Sequence, residues 1–175
     1  MPGPQPSGSI LHQAVLVLDD GNVKSLPGTP LEVIASPGAN KAILPAYSVL
    51  ITSGFATHPY TGADVDGYLS LAAANGSDVH DLAVNDSSIV GITGLDTLLA
   101  SDGMFPCNVP FNQAFVVGWG ILQFAVLSLA SYANTAINLK LANGTTTDLG
   151  GGNAANTMKV CVAYYVLNLT TGKFE

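Results

Sequence analysis

The sequence contains no arginine. Its basic residues are five lysines, set against twelve aspartates and glutamates, for a net charge of -7 and a pI near 4.5. Nucleic-acid binding draws most of its affinity from cations that neutralise phosphates, and no basic footprint exists here. Bidentate clamps on phosphate or carboxylate also need the guanidinium fork that is missing. Phosphoryl chemistry and nucleic-acid packaging are therefore not expected. Charge of either sign is scarce, at 10% of residues, well below the usual quarter or so. Disordered chains combine low hydrophobicity with high net charge, and 48% of this chain is hydrophobic, so a globular fold is expected.

Cysteine is nearly absent too. Cys107 and Cys161 are the only two, too few for a metal knuckle or a disulfide framework. Cys161 falls in an alternating apolar pattern and reads as a small buried hydrophobe. Residues 1–9 hold Pro2, Pro4 and Pro6 with two glycines, but no basic stretch followed by an apolar core, so they do not form a signal peptide. They predict an extended arm that orders against a partner. Four Asn-x-Ser/Thr patterns begin at Asn75, Asn85, Asn143 and Asn168. Without a secretion signal they are read as turns.

No long helical periodicity is present. Alternating or apolar segments at 13–18, 31–35, 42–52, 67–73, 88–93, 136–142 and 157–167 predict strands, separated by turns rich in glycine, proline, Asn and Asp. Pro45 inside the third of these predicts an edge or a bulge. A helical turn is expected at 23–26, a strand or a single helical turn at 96–100, and loops at 74–88 and 143–152. In the final strand Met158, Val160, Val162, Tyr164 and Val166 share one face, and adjacent Tyr164 and Tyr165 point to opposite sides. Eight or more such strands predict an all-β chain, a β-sandwich with the jelly roll as its favoured form. Residues 10–175 are expected to make one domain behind the arm.

The run at 114–131 approaches the length of a membrane helix, and no charge lies between Asp102 and Lys140. Gln123 sits inside it, Gly118 and Gly120 flank Trp119, and no cation borders it. Two buried strands, 114–119 and 122–129, are expected instead, and no membrane association.

Catalytic motifs are missing. There is no Gly-x-Ser-x-Gly elbow, no dinucleotide fingerprint and no Walker loop. The one acid–histidine cluster, Asp78, His80 and Asp81 with Asp64 and Asp66 before it, matches no zinc or EF-hand spacing. It reads as solvated turn residues better than as metal ligands. No catalytic residue, metal or cofactor is expected, and the chain is not read as an enzyme. Phe105, Pro106, Pro110 and Phe111 surround Cys107 in a segment read as an apolar loop, tucked over the core or pressed on another subunit. Subunit contact is the favoured of the two. A second candidate surface is Phe55, His58 and Tyr60 with Asp64, the aromatic-plus-acid composition of a carbohydrate-binding site.

Two stretches carry a resemblance. The first is Val15–Val49, in which a strand leads to Val23-Lys24-Ser25-Leu26-Pro27-Gly28-Thr29-Pro30, then into Leu31 and on through Ser36-Pro37-Gly38-Ala39-Asn40-Lys41 to Pro45. The second is Gly151-Gly152-Asn153-Ala154-Ala155-Asn156-Thr157-Met158-Lys159-Val160. Together they resemble small tailed-bacteriophage decoration, cement or minor virion proteins, with Asn40 where glycine is expected. The likeness lies at the two ends and leaves out residues 54–135. It implies a virion protein, made in the host cytoplasm, that binds the major capsid protein on the outer capsid surface. It also implies a homo-oligomer, a trimer before a dimer. Pro2, Pro4, Pro6, Phe105, Pro110 and Phe111 are the expected contact residues. A tail or head-fibre carbohydrate-binding module is the alternative.

Overall fold

The computed structural model describes residues 10–63, 67–74, 78–84, 94–107, 133–142 and 147–175. The arm at 1–9 and the expected strands at 88–93, 114–119 and 122–129 lie outside them. Among the described residues the fold is all-β, with two short helices. The strands are β1 (His12–Leu18), β2 (Leu31–Ile34), β3 (Lys41–Ser53), β4 (Tyr60–Thr61), β5 (Tyr68–Ala73), β6 (Asp78–Val84), β7 (Gly103–Cys107), β8 (Ile137–Ala142), β9 (Gly150–Gly151), β10 (Thr157–Asn168) and β11 (Lys173–Phe174). Helix α1 spans Asp20–Ser25 and α2 spans Leu95–Leu99.

One sheet runs β1-β10-β3-β7, with β11 beside β10; the second runs β2-β8-β5-β6, and β4 pairs with β9. All pairings are antiparallel. Among the described residues, and leaving the two-residue strands aside, first pairs with last (β1 with β10), second with next-to-last (β2 with β8), and so inward to β5 with β6. This is the nesting a long folded hairpin has when it is wound into two facing sheets. Leu18, Leu50, Val160 and Val162 of one sheet and Leu69, Leu71, Leu139 and Leu141 of the other belong to a single buried cluster, so the sheets form a sandwich.

Pro45 lies at a bulge, as its chemistry requires. Tyr164 pairs with Pro45 and Ala163 with Tyr47, leaving Ala46 unmatched, and pairing with β7 begins only at Ser48. The missing N–H of proline is thus placed where no ladder bond to β7 is needed. Asn40 has φ +58°, the left-handed conformation that glycine and asparagine adopt most readily, so Asn serves in place of the expected glycine.

Several expectations need correction. The loop expected at 74–88 contains β6. Its register with β5 shifts twice, passing over Leu82 and Val79, and those shifts destroy the alternation by which a strand is recognised. The apolar loop expected around Cys107 is instead strand β7 up to Cys107, paired with β3. Of the strand and the helical turn weighed for 96–100, the structure has the helical form, α2 (Leu95–Leu99), whose Leu95, Leu98 and Leu99 are buried. The turn at 23–26 is the end of α1, which begins earlier. Asp19 and Asn22 close a capping box there, with Asn22 N–H donating to Asp19 Oδ1 at 2.8 Å. Short strands β4, β9 and β11 were not anticipated. Asn168, the last residue of β10, opens the turn that follows, its Oδ1 accepting from the N–H groups of Thr170 and Thr171.

The end of the sandwich near α1 is locked by polar contacts. Tyr60 donates to Asp20 Oδ1 at 3.0 Å, and Lys24 Nζ lies 2.7 Å from Asp20 Oδ2. Asn156, fully buried, donates to the His58 carbonyl at 2.8 Å. Gly152, at φ +67°, packs so closely that a Cβ would enter the Tyr60 ring and the Asp20 carboxylate. Gly152→Ala should therefore destabilise the fold by about 2–4 kcal/mol, combining left-handed strain with overpacking; an unchanged urea midpoint would contradict this packing.

Two carboxyls are held below their ordinary pKa, Asp20 chiefly by its hydrogen bond from Lys24 and Glu175 chiefly by that from Lys41. A depressed folded-state pKa gives stability that is present above the unfolded value and lost as pH falls through the folded one. Melting temperature should fall between about pH 5 and about pH 2, and a Lys24→Met/Lys41→Met variant should show a smaller fall over that window. Equal falls in both proteins would show that these pairs do not matter.

Candidate docking surface

Strand alternation divides the β1-β10-β3-β7 sheet into two faces. Leu18, Val160, Val162, Ser48, Leu50 and Thr52 point inward and are buried. The opposite face is built from cross-strand rows fixed by register. One row is Val15, Cys161, Val49 and Pro106; the next is Val17, Lys159, Ile51 and Met104; Gln13, Ala163 and Tyr47 form a third. An antiparallel sandwich sheet ordinarily turns polar residues outward. Here Val15 is 61% exposed, Val17 57% and Met104 68%. Lys159 is the one charged side chain in these rows.

Strands about 4.8 Å apart and rows about 7 Å apart make this face on the order of 300–400 Å2. The largest apolar patch on a typical monomer is about 300–600 Å2 and is often functional, so this face is the candidate surface for a contact. The other sheet differs. Ser70 and Ala72 of β5 point away from the sandwich interior yet are buried, at 0% and 2% exposure. Nearby, Lys140 Nζ sits 5.9 Å from the centre of the Tyr68 ring. At these two β5 positions, unlike the rows of the first sheet, the outer face is covered.

Phe105 lies in β7, partly buried and packed against the core, so its side chain does not join the open face. Its neighbours Met104 and Pro106 do. Pro2, Pro4, Pro6, Pro110 and Phe111 lie outside the described residues. Sequence reasoning passed over Val15, Val17, Val49 and Ile51, because a strand apolar on both parities looks buried on both sides. Of the second candidate surface, Phe55 is 0% exposed and Tyr60 5%, stacked edge to face at 4.9 Å. They are core residues and offer no exposed platform for a sugar. Asp64 and Asp66 lie outside the described residues, as do the side chains of Asp78, His80 and Asp81. Among the described residues no group of three His, Cys, Asp or Glu could hold a metal ion. None of their helices is long and apolar enough to cross a membrane.

The cysteines occupy opposite faces of one sheet. Cys107 is inward, its thiol donating to the Leu82 carbonyl at 3.4 Å, and burial pushes its pKa up to about 11. Cys161 belongs to the outer row, and both are free. No protein-family model, curated protein or solved structure matches the chain.

A thiol titration checks this placement. In native protein Cys161 should react with a maleimide while Cys107 stays protected until unfolding, because the buried thiol is neutral and shielded. Prompt reaction at both positions would contradict it.

Proposed function

We propose that the protein is a structural docking module that attaches to the outer surface of a phage capsid and stabilises it. The observation that carries this reading is the open apolar face of the β1-β10-β3-β7 sheet. The nested strand pairing supports the jelly-roll form of the sandwich, and the resemblance of the two chain ends to decoration proteins points to the same class. The acidic composition suits a surface away from the genome.

Magnitude argues for a repetitive partner. Burying about 300–400 Å2 at about 25 cal/mol per Å2 gives roughly 8–10 kcal/mol before costs. Association itself costs about 4–15 kcal/mol, and a stable interface ordinarily buries about 800 Å2 per partner. One such contact alone is therefore marginal. On a symmetric shell, an oligomer repeats the contact at neighbouring sites and converts marginal affinity into avidity.

Co-sedimentation with phage capsids tests the reading. Wild-type protein should pellet with the shells, and Met104→Glu or Ile51→Lys should weaken pelleting at least about tenfold through loss of apolar burial and placement of charge in the contact. Equal pelleting of wild type and both variants would remove the open face from the interaction, and failure of wild type to pellet would remove the capsid.

A further inference from the structure

Strand β1 ends the described part of its sheet. Among the described residues its one ladder partner is β10, and their register is continuous over all seven residues from His12 to Leu18, with no bulge. Proteins protect such edges with lysine, proline, bulges or inward-pointing charge. The sequence His12-Gln13-Ala14-Val15-Leu16-Val17-Leu18 has none of these. The side of the sandwich beside it is also incompletely sealed. Ala14 and Leu16 point inward yet are only partly buried, as are Leu31 and Val33 of β2, which lies at the end of the other sheet. Ile10 and Leu11, leading into β1, are 59% and 49% exposed.

We propose that the free edge of β1 pairs antiparallel with β1 of a second copy of this chain, about a two-fold axis at Val15. The strand fits itself. Val15 faces Val15 of the other copy, Gln13 faces Val17, Ala14 faces Leu16 and His12 faces Leu18. No carboxylate or lysine meets its like, although each chain carries a net charge of -7. A seven-residue pairing uses the whole strand and satisfies the outward N–H and C=O groups of both copies. It also brings two partly buried apolar margins together, which supplies the hydrophobic drive that backbone pairing alone lacks. A two-fold contact of this kind is isologous and closed, so it yields a dimer with one continuous sheet across both copies. The chain ends' resemblance pointed first to a trimer; the uncharged edge favours two-fold closure. The inference does not depend on the capsid reading.

The test uses the full chain in sedimentation equilibrium, with Val15→Lys and Val15→Glu as variants. Val15 is 61% exposed on the outward face, so far-UV circular dichroism should stay native. Wild type should be dimeric. Each variant alone should dissociate at least about tenfold more readily, because like charges then oppose each other across the axis. An equimolar mixture should recover the dimer as a Lys–Glu heterodimer, a result only a self-apposed position gives. Hydrogen exchange supplies a second readout, with the outward amides of β1 protected in wild type and released in either variant. A monomeric wild type, variants that still associate, or a mixture without recovery would each overturn the proposal.

Discussion

The ladder between β3 and β10 is the constraint on which the rest of the structure depends. Every one of the twelve residues of β10 has a partner on β3, from Thr157 opposite Ser53 to Asn168 opposite Lys41. These strands are far apart in sequence, so closing this ladder joins residues 41–53 to residues 157–168. It then fixes where β1 and β7 attach on either flank. The single irregularity, at Ala46 beside Pro45, bends the ladder where a proline could not have been paired straight through. Below that bulge Leu50, Val160 and Val162 are aimed inward as a block, and by the same period-two geometry Val49, Ile51, Lys159 and Cys161 are aimed outward. The open face is thus a consequence of the same alternation that fills the core.

That open face has a cost. A fully buried valine, leucine or methionine contributes about 1.5–3 kcal/mol relative to an exposed one, and Val15, Val17 and Met104 forgo most of this in the isolated chain. Polar side chains at those positions would serve an isolated sandwich as well or better. Retaining apolar ones is explained when the contact they lack in the monomer is made with another surface. The asymmetry between the sheets supports the argument, because the outward Ser70 and Ala72 of the second sheet are covered within the chain itself.

Much of the fold was legible in the sequence, and the reasons are local. Strands β1, β3, β5, β8 and β10 follow apolar patterns bounded by glycine, proline, Asn or Asp, so their positions emerged within a residue or two. Strand β6 was hidden because Leu82 and Val79 fall at shifts in register, which erase the period, and because Asp78, His80 and Asp81 have poor strand propensity that pairing with β5 overrides. Helix α1 was legible only as a helical turn at 23–26, and its start at Asp20 was missed since Asn22, not Glu or Gln, completes its capping box. The docking surface was the least legible element. Periodicity tells which residues share a face but not which face meets water, and β1 is apolar on both. Only the register with β10 and β3 shows that Val15, Cys161 and Val49 form one row.

The two proposed contacts use different geometry and do not compete. Edge pairing at β1 extends the sheet within its own plane, whereas docking onto a shell approaches the face at right angles to that plane. Lys159 sharpens the second contact. It stands inside the row from Val17 to Met104, one strand in from the edge, so a self-paired dimer leaves it uncovered. A partner that closed over the face would have to bury an ammonium group, and an unpaired buried charge costs several kcal/mol, a large share of what the apolar contact supplies. A matching carboxylate on the partner removes that penalty and converts a generally sticky surface into a selective one. The same cation, exposed to water in the free protein, works against indiscriminate association of the face with apolar surfaces, since any partner without a matching anion would have to strip its water.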